Sequence, residues 1–376
     1  MKKDYTVRSY RPGEEEEIVQ ILRIAFDGWP RIDLRCTPLE HWRWKYLENP
    51  LEANLITVCS SDGRLIGAMH SIPQKIKLQN DTYLINYSCD TCVHPEYRGL
   101  GVYTNMYKFG DEEREKQRFK SNYWVTSNPI VIKASSVREL KFSHRITNLA
   151  RIRDIDKQIE AMPIKNTLLM KKGYQAIELL NKIKNFFIKS PKKISDIKIS
   201  EINNFDHRIN EFWDEISDQY DYIIVRDMEY LNWRYCDPRG GDFIIHLAED
   251  NDIILGFSVL IINRYKNDYP VGFIVDLLAL KDRLDVVDSL LSKAVDYFDA
   301  NNINIINYQI VKNHPYEAIF KKHGFVDSRI RTYIFNDFEG AEEKEKYANL
   351  KKSPANRVYY SYGDIDSLPI DVPMYR

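Results

Sequence analysis

The chain has 376 residues, 44% hydrophobic and 29% charged, which suits globular protein and is long for a single small core, so two domains are expected. Lys and Arg number 54 against 55 Asp and Glu, and the formal charge of -1 gives no global attraction to nucleic acid or to an anionic membrane, so neither is expected as a partner. Five cysteines, an odd and sparse set, do not form a disulfide framework. The stretch MKKDYTVRSYRPGEEEE lacks a signal peptide's apolar core, and no run approaches the roughly 18 apolar residues of a membrane span, so a cytoplasmic protein is expected.

Residues 5–10 are rich in β-formers and precede the turn signal Pro12-Gly13. Residues 14–26 then place Ile18, Ile21, Leu22 and Ala25 at helical spacing, behind a glutamate-rich first turn that suits the helix dipole. A second helix is expected over 39–47, before Asn49-Pro50. Apolar β runs at 54–59 and 65–72 flank Ser61-Asp62-Gly63 and predict a hairpin; 74–78, Asn80-Asp81 and the long run 84–93 predict another. Cys89 and Cys92 lie in that run, where side chains three apart point to opposite sheet faces. Their Cys-x-x-Cys therefore reads as two packed thiols, and no metal is expected. After His94-Pro95 come a glycine-containing loop, a helix over 102–118, a strand over 123–127 and a helix over 131–141. The lysine-rich amphipathic stretch 167–190 is expected to be a linker helix.

The second half repeats this plan. Trp44-Lys45-Tyr46 and Trp233-Arg234-Tyr235 each precede a proline, Pro50 or Pro238. A strand, a polar turn and an apolar strand opening at Gly67 or Gly256 follow, and each glycine lies 23 positions beyond its tryptophan. Tyr87-Ser88-Cys89-Asp90 then matches Phe273-Ile274-Val275-Asp276. An ordered set of matches at equal spacing indicates an internal duplication. The expected domains are 1–160, a helical linker over 161–192, a second copy over 193–340 and a tail over 341–376.

The loop itself reads Val93-His94-Pro95-Glu96-Tyr97-Arg98-Gly99-Leu100-Gly101-Val102-Tyr103. An apolar strand that ends at a proline and passes through glycines into a helix exposes several N–H groups at a helix N-terminus, where an anion is favoured. Gly99 and Gly101 let a diphosphate approach the backbone, and Arg98 adds charge-assisted contacts. No Lys-Ser/Thr follows the glycines and no third glycine is present, which excludes a P-loop and the dinucleotide fingerprint.

This stretch resembles the acetyl-CoA signature of the GNAT superfamily of N-acetyltransferases, Arg/Gln-x-x-Gly-x-Gly/Ala. Arg98 and Gly101 hold the defining positions, while Tyr103 stands where Gly or Ala is usual. The resemblance implies an α/β (α+β) chain of two tandem GNAT-like domains, each a mixed, mostly antiparallel sheet flanked by helices. It implies acetyl transfer from acetyl-CoA, as co-substrate, to a primary amine of a small molecule or peptide by direct attack. The strand before the loop would splay from its neighbour, and backbone groups of Cys92, Val93 and His94 would pair with pantetheine. Amides of Gly99, Leu100, Gly101, Val102 and Tyr103 would hold the pyrophosphate, and Asn128 would touch the cofactor from the other side. A backbone N–H would polarise the thioester carbonyl.

Asp90 and Glu96 are the carboxylates nearest the loop and the candidate bases. The superfamily's usual acid, a tyrosine on the helix after the fifth strand, is missing between Asn128 and Phe142, where Ser135 and Ser136 are the only hydroxyls. Tyr103 or a water is then left for that role. Residues 313–325 resemble the GNAT helix that ends in a Gly-Phe turn. The second-half loop, Lys281-Asp282-Arg283-Leu284-Asp285, has no glycine and two carboxylates that would oppose a pyrophosphate. One acyl-CoA site per chain, in the first half, is expected, with the second copy degenerate. The acidic end of 357–366 reads as a solvated tail, or alternatively as a contact for a cationic acceptor. Two other functions are compatible with the pattern: Fem-type aminoacyl transfer from charged tRNA, and a non-catalytic acyl-CoA sensor.

Overall fold

The computed structural model describes residues 4–126, 129–136, 141–160, 172, 196–265 and 269–366. Asn128 and the linker helix expected over 167–190, apart from Lys172, lie outside the described residues. The strands of the first half are β1 (Thr6–Ser9), β2 (Leu55–Ser61), β3 (Arg64–Leu78), β4 (Asp81–Val93), β5 (Ser121–Thr126) and β6 (Ile146–Ile152). Those of the second half are β7 (Lys198–Ile202), β8 (Tyr222–Ile224), β9 (Ile244–Asp250), β10 (Ile253–Asn263), β11 (Val271–Ala279), β12 (Ile305–Val311), β13 (Val326–Asp327) and β14 (Tyr333–Phe338). The helices that matter to the site are α1 (Glu15–Ala25), α2 (Pro38–Tyr46), α3 (Val102–Lys116), α4 (Pro129–Ser136), α5 (Leu284–Ala300) and α6 (Pro315–Lys322).

Two mixed sheets result, each with seven strands among the described residues. The first runs β1-β2-β3-β4-β5-β14, with β8 paired to β3; the second runs β13-β6-β12-β11-β10-β9-β7. Position by position, β7-β9-β10-β11-β12 repeats β1-β2-β3-β4-β5, and each sheet then takes its next strand from the other half of the chain. Thus β14 completes the first sheet beside β5, and β6 completes the second beside β12. The expected boundaries near 160 and 193 are crossed by this exchange, so sequence halves and sheets do not coincide.

The predicted hairpins merge. Runs 65–72 and 74–78 form one 15-residue strand, β3, through Pro73. Its β2 partners end at Ser71 and its β8 partners begin at Ile76, so the missing proline N–H falls where pairing on that side is interrupted. A bulge in β3 at Ile66, opposite Cys59 and Ser60, shifts the alternation, so Leu65, Ala68 and Ile72 enter the main core with α1 while Ile66 and Met69 join a smaller cluster under Val102 and Met106 of α3. Helix α2 begins with a capping box between Thr37 and Glu40 and a proline in its first turn, the arrangement that starts a helix best.

The duplication is visible in the register. Gly67 pairs with Val93 and Gly256 with Ala279, and in both pairs a bulge follows within a few residues. Trp44 and Trp233 stack at 5.0 Å, and each indole N–H donates to the other's backbone carbonyl, at 3.2 and 3.3 Å. This reciprocal contact joins the two halves beside the site.

Candidate acyl-transfer cleft

Strands β4 and β5 are parallel neighbours at only two positions, Asn86–Asn122 and Tyr87–Tyr123. Beyond them β4 continues to Val93 and β5 to Thr126 without pairing, and a wedge opens between them. It belongs to a cleft of about 1850 Å³ lined by Asp90 to Val93, Trp124 to Thr126, Arg98, Tyr103 and Tyr107. The far wall is Trp29, His41, Trp44, Trp233 and Phe243.

The bulge in β4 falls at Asp90, whose φ is +42°, and register against β3 shifts between Ala68 and His70. The extra residue also breaks side-chain alternation. Cys89 and Cys92, expected on opposite faces, are both buried in the same core cluster. His70 holds the bulge from behind. Its Nε2 accepts from the Trp42 indole at 3.1 Å, so the proton sits on Nδ1, which donates to the Asp90 carbonyl at 2.9 Å. Burial lowers the pKa of this imidazole to about 4 and keeps it neutral.

Lys45 lies at the floor of the cleft, with its side chain 5% exposed. Its ammonium donates to Asp90 Oδ2 at 2.6 Å and to Asp366, and it lies 5.6 Å from the centre of the Trp29 ring. Tyr46 donates to Asp90 Oδ2 at 2.5 Å, and Tyr87 is hydrogen-bonded to Asp366. Burial alone would raise the Asp90 carboxyl, but Lys45 and Tyr46 overcome it and hold the pKa down at about 2. Burial opposes the Lys45 charge as well; Asp366 and Asp90 outweigh it and keep the group protonated. Cys89, Asp90 and Asp366 bring ligand atoms within 4.8 Å of one another, yet burial keeps the thiol protonated and the charge between the carboxylates is the Lys45 ammonium.

At the mouth, Pro95–Tyr97 forms a short turn and Gly101, at φ +83°, leads into α3. No side chain caps α3 and no acidic residue stands in its first turn, so its leading amides keep their partial positive charge for a ligand. A Cβ at Gly101 would meet nothing closer than the Tyr5 hydroxyl at 3.4 Å, and one at Gly99 nothing within 4 Å; the approach is open. Arg98 donates to the backbone carbonyls of Val93 and Ala25, so its charge meets no carboxylate among the described residues. With Arg98, the exposed Lys133 and Arg329 make the cleft's rim basic.

Residues 6–128 match the family model described as an acetyltransferase (GNAT) domain. The first half carries a GNAT domain. The whole two-sheet fold resembles a probable N-acyltransferase from Enterococcus faecalis, with a TM-score of 0.59 at 11% identity, over 89% of this chain and 73% of that one. Saccharomyces cerevisiae N-myristoyltransferase, solved with myristoyl-CoA and inhibitors, gives 0.58 at 12% identity, over 89% and 80%. At such identities the likeness is one of fold. No curated protein sequence matches the chain.

Within this GNAT domain the residues expected at the site separate into three groups. Asp90, Cys92, Val93, Arg98 and Tyr103 line the cleft; Gly99, Leu100, Gly101 and Val102 form the approach to α3 without lining it. The His94 N–H donates to the Ile66 carbonyl and its own carbonyl accepts from the Tyr97 N–H, so only that carbonyl's second lone pair is left for pantetheine. Glu96 is exposed on the turn outside the cleft. The Ser135 hydroxyl accepts from the Trp124 indole at 3.2 Å. In the second half the equivalent loop is filled by its own charges, with Arg283 paired to a buried Asp285 at 2.9 Å.

Three features of the site were not expected from sequence. Lys45 and Tyr46 belong to the Trp-Lys-Tyr repeat, which signalled duplication but not that its lysine points at Asp90. Asp366 belongs to the segment read as a solvated tail or, alternatively, as a contact for a cationic acceptor, and neither reading placed it on Lys45. Instead Val358 to Ile365 is buried, and Asp366 reaches Lys45 across 321 positions of sequence. Aromatic composition was the available signal, since three tyrosines in a short run, Tyr359, Tyr360 and Tyr362, favour a core over water.

Proposed function

We propose that this chain is an N-acyltransferase that takes an acyl-CoA in the first-half cleft and passes the acyl group to an amine. The observation that carries the reading is the β4–β5 wedge opening beside the uncapped N-terminus of α3. A wedge of this kind holds an extended pantetheine arm against strand backbone, and the helix terminus and basic rim suit the polyanionic end of CoA. Acetyl-CoA is the first donor to test, with longer acyl chains second.

Transfer follows by direct attack. The amine lone pair forms the C–N bond and the C–S bond breaks with its electron pair on sulfur. The nitrogen proton is lost and the thiolate is protonated. Asp90, with its proton affinity suppressed by Lys45, serves as fixed charge and not as base. Tyr103 lines the cleft from the first turn of α3, and we assign it the proton for the departing thiolate.

Calorimetric titration of the full chain with acetyl-CoA, octanoyl-CoA and myristoyl-CoA is the test. One-to-one binding of at least one of them is expected, followed by thiol release when an amine is added. No heat with any of the three at millimolar concentration overturns the reading. Binding without thiol release across an amine panel makes the chain a sensor.

A further inference from the structure

The duplication provides an internal comparison. Strands β11 and β12 pair at Val271–Phe273 and Ile305–Asn307 and then separate, as β4 and β5 do. That second wedge is closed by the chain's own C-terminal segment. The Leu277 N–H donates to the Tyr359 hydroxyl at 3.3 Å, and Gly363 sits so close that an added Cβ would lie 2.4 Å from the Tyr235 hydroxyl and 2.8 Å from Asp276. Asp276 stands where Asp90 stands in the first half, three residues before the partner of the strand-opening glycine. Asp276 accepts from Arg226 at 2.9 Å and from Tyr235, Tyr359 and Ser361. Arg226 also reaches Asp364 at 2.7 Å, whose other oxygen takes the Ser361 N–H. Here two carboxylates share one cation, and every carboxylate oxygen has a donor.

The first half has the same plan and stops short of it. Asp90 and Asp366 share Lys45, with hydroxyls from Tyr46 and Tyr87. Lys45 has three donors where Arg226 has five. Asp90 Oδ1 accepts no hydrogen bond among the described residues, and both carboxylates line the open cleft instead of a sealed one. Two negative charges face one positive charge at a floor whose Trp29 wall already accepts the Lys45 ammonium.

We propose that residues 358–366 are a built-in ligand of the second wedge, and that by seating there they deliver Asp366 to the first, where with Asp90 it receives the acceptor as an ammonium cation. Asp366 is thus a positioning residue for basic primary amines. The bound cation releases one proton to solvent before its nitrogen attacks the thioester. This inference rests on the acyl-transfer reading above and adds the charge state of the acceptor and the residue that selects it.

The test is steady-state transfer from acetyl-CoA, with octanoyl-CoA and myristoyl-CoA in parallel, to 1,4-diaminobutane and to hydroxylamine. The first is a cation at pH 7.5 and the second is neutral. Asp366→Asn should raise KM for the diamine on the order of tenfold with a smaller effect on kcat, as expected from losing one ion contact. The diamine should lose at least fivefold more kcat/KM than hydroxylamine, and CoA affinity should stay within twofold by calorimetry. Asp366→Glu should recover part of the diamine preference, which a misfolded protein would not. Equal losses for the two nucleophiles, or no loss with the diamine, overturn the proposal while leaving acyl transfer intact. Loss of CoA binding in the variant also overturns it, because Asp366 would then be supporting the donor side.

Discussion

Asp90 sits on a bulge at φ +42° with its carboxylate inside the protein and Lys45 against it. Burial pushes its pKa up; the ammonium and the Tyr46 hydroxyl push harder the other way, to about 2, against an ordinary value near 3.9. Between about pH 4 and pH 2 the unfolded chain therefore binds a proton that the folded chain does not. Stability from this group is complete above that window and is lost as pH falls through it. Asp364 has the opposite sign: burial raises it to about 6, so its contribution weakens as pH rises from about 4 to 6. Comparing wild type with Asp90→Asn at each pH cancels the Asp364 slope. The variant should lose about 2 kcal/mol near neutrality, and the gap should narrow to roughly half by pH 3, on its way to closing near pH 2. Urea unfolding across pH 3–7 reads this, and a gap that stays constant with pH would mean that Lys45 does not set the Asp90 charge.

At the scale of elements, the loop and α3 were legible because their signal is local. A strand ending in His-Pro, two glycines and an amphipathic run lie within a dozen residues, and the backbone they specify does not depend on distant partners. The bulge in β4 was not legible, since nothing in Ser88-Cys89-Asp90-Thr91 distinguishes it from regular strand. It is imposed by His70 on β3 through the Asp90 carbonyl. The unbroken β3 was missed for a related reason: a proline inside a strand is tolerated only where neighbour pairing lapses, and that depends on β8 arriving from the other half. The loop supports a direct prediction. In Gly101→Glu, backbone strain at φ +83° costs about 1 kcal/mol, offset in part by a carboxylate at a helix N-terminus, and the space around Cβ is open. The protein should fold, and its own carboxylate should occupy the amides offered to the pyrophosphate. Acyl-CoA affinity is expected to fall at least a hundredfold by calorimetry; an affinity within threefold of wild type would place the phosphates elsewhere.

The duplicated plan suggests two independent domains, and the strand exchange argues against independence. Removing the second half would take β14 from the edge of β5 and β8 from β3, and would leave β6 without β12. An exposed central strand edge is a template for aggregation, so residues 1–160 alone should be insoluble or associated. The same exchange couples the two cores energetically. Trp44 and Trp233 stack across the junction, and Asp366 is held by Lys45 while its own segment is anchored on Arg226. Opening one sheet therefore exposes groups whose partners lie in the other, and no partly unfolded state keeps a complete core. Full-length protein is predicted to unfold in urea in a single transition, with fluorescence from Trp29, Trp44 and Trp233 at the junction coincident with far-UV circular dichroism from both sheets. Two separated transitions, or a tryptophan change that precedes the loss of secondary structure, would show that the halves are autonomous. In that case the C-terminal segment would be free to leave the first cleft without disturbing the second sheet, and the link between the two wedges would have to be carried by the segment alone.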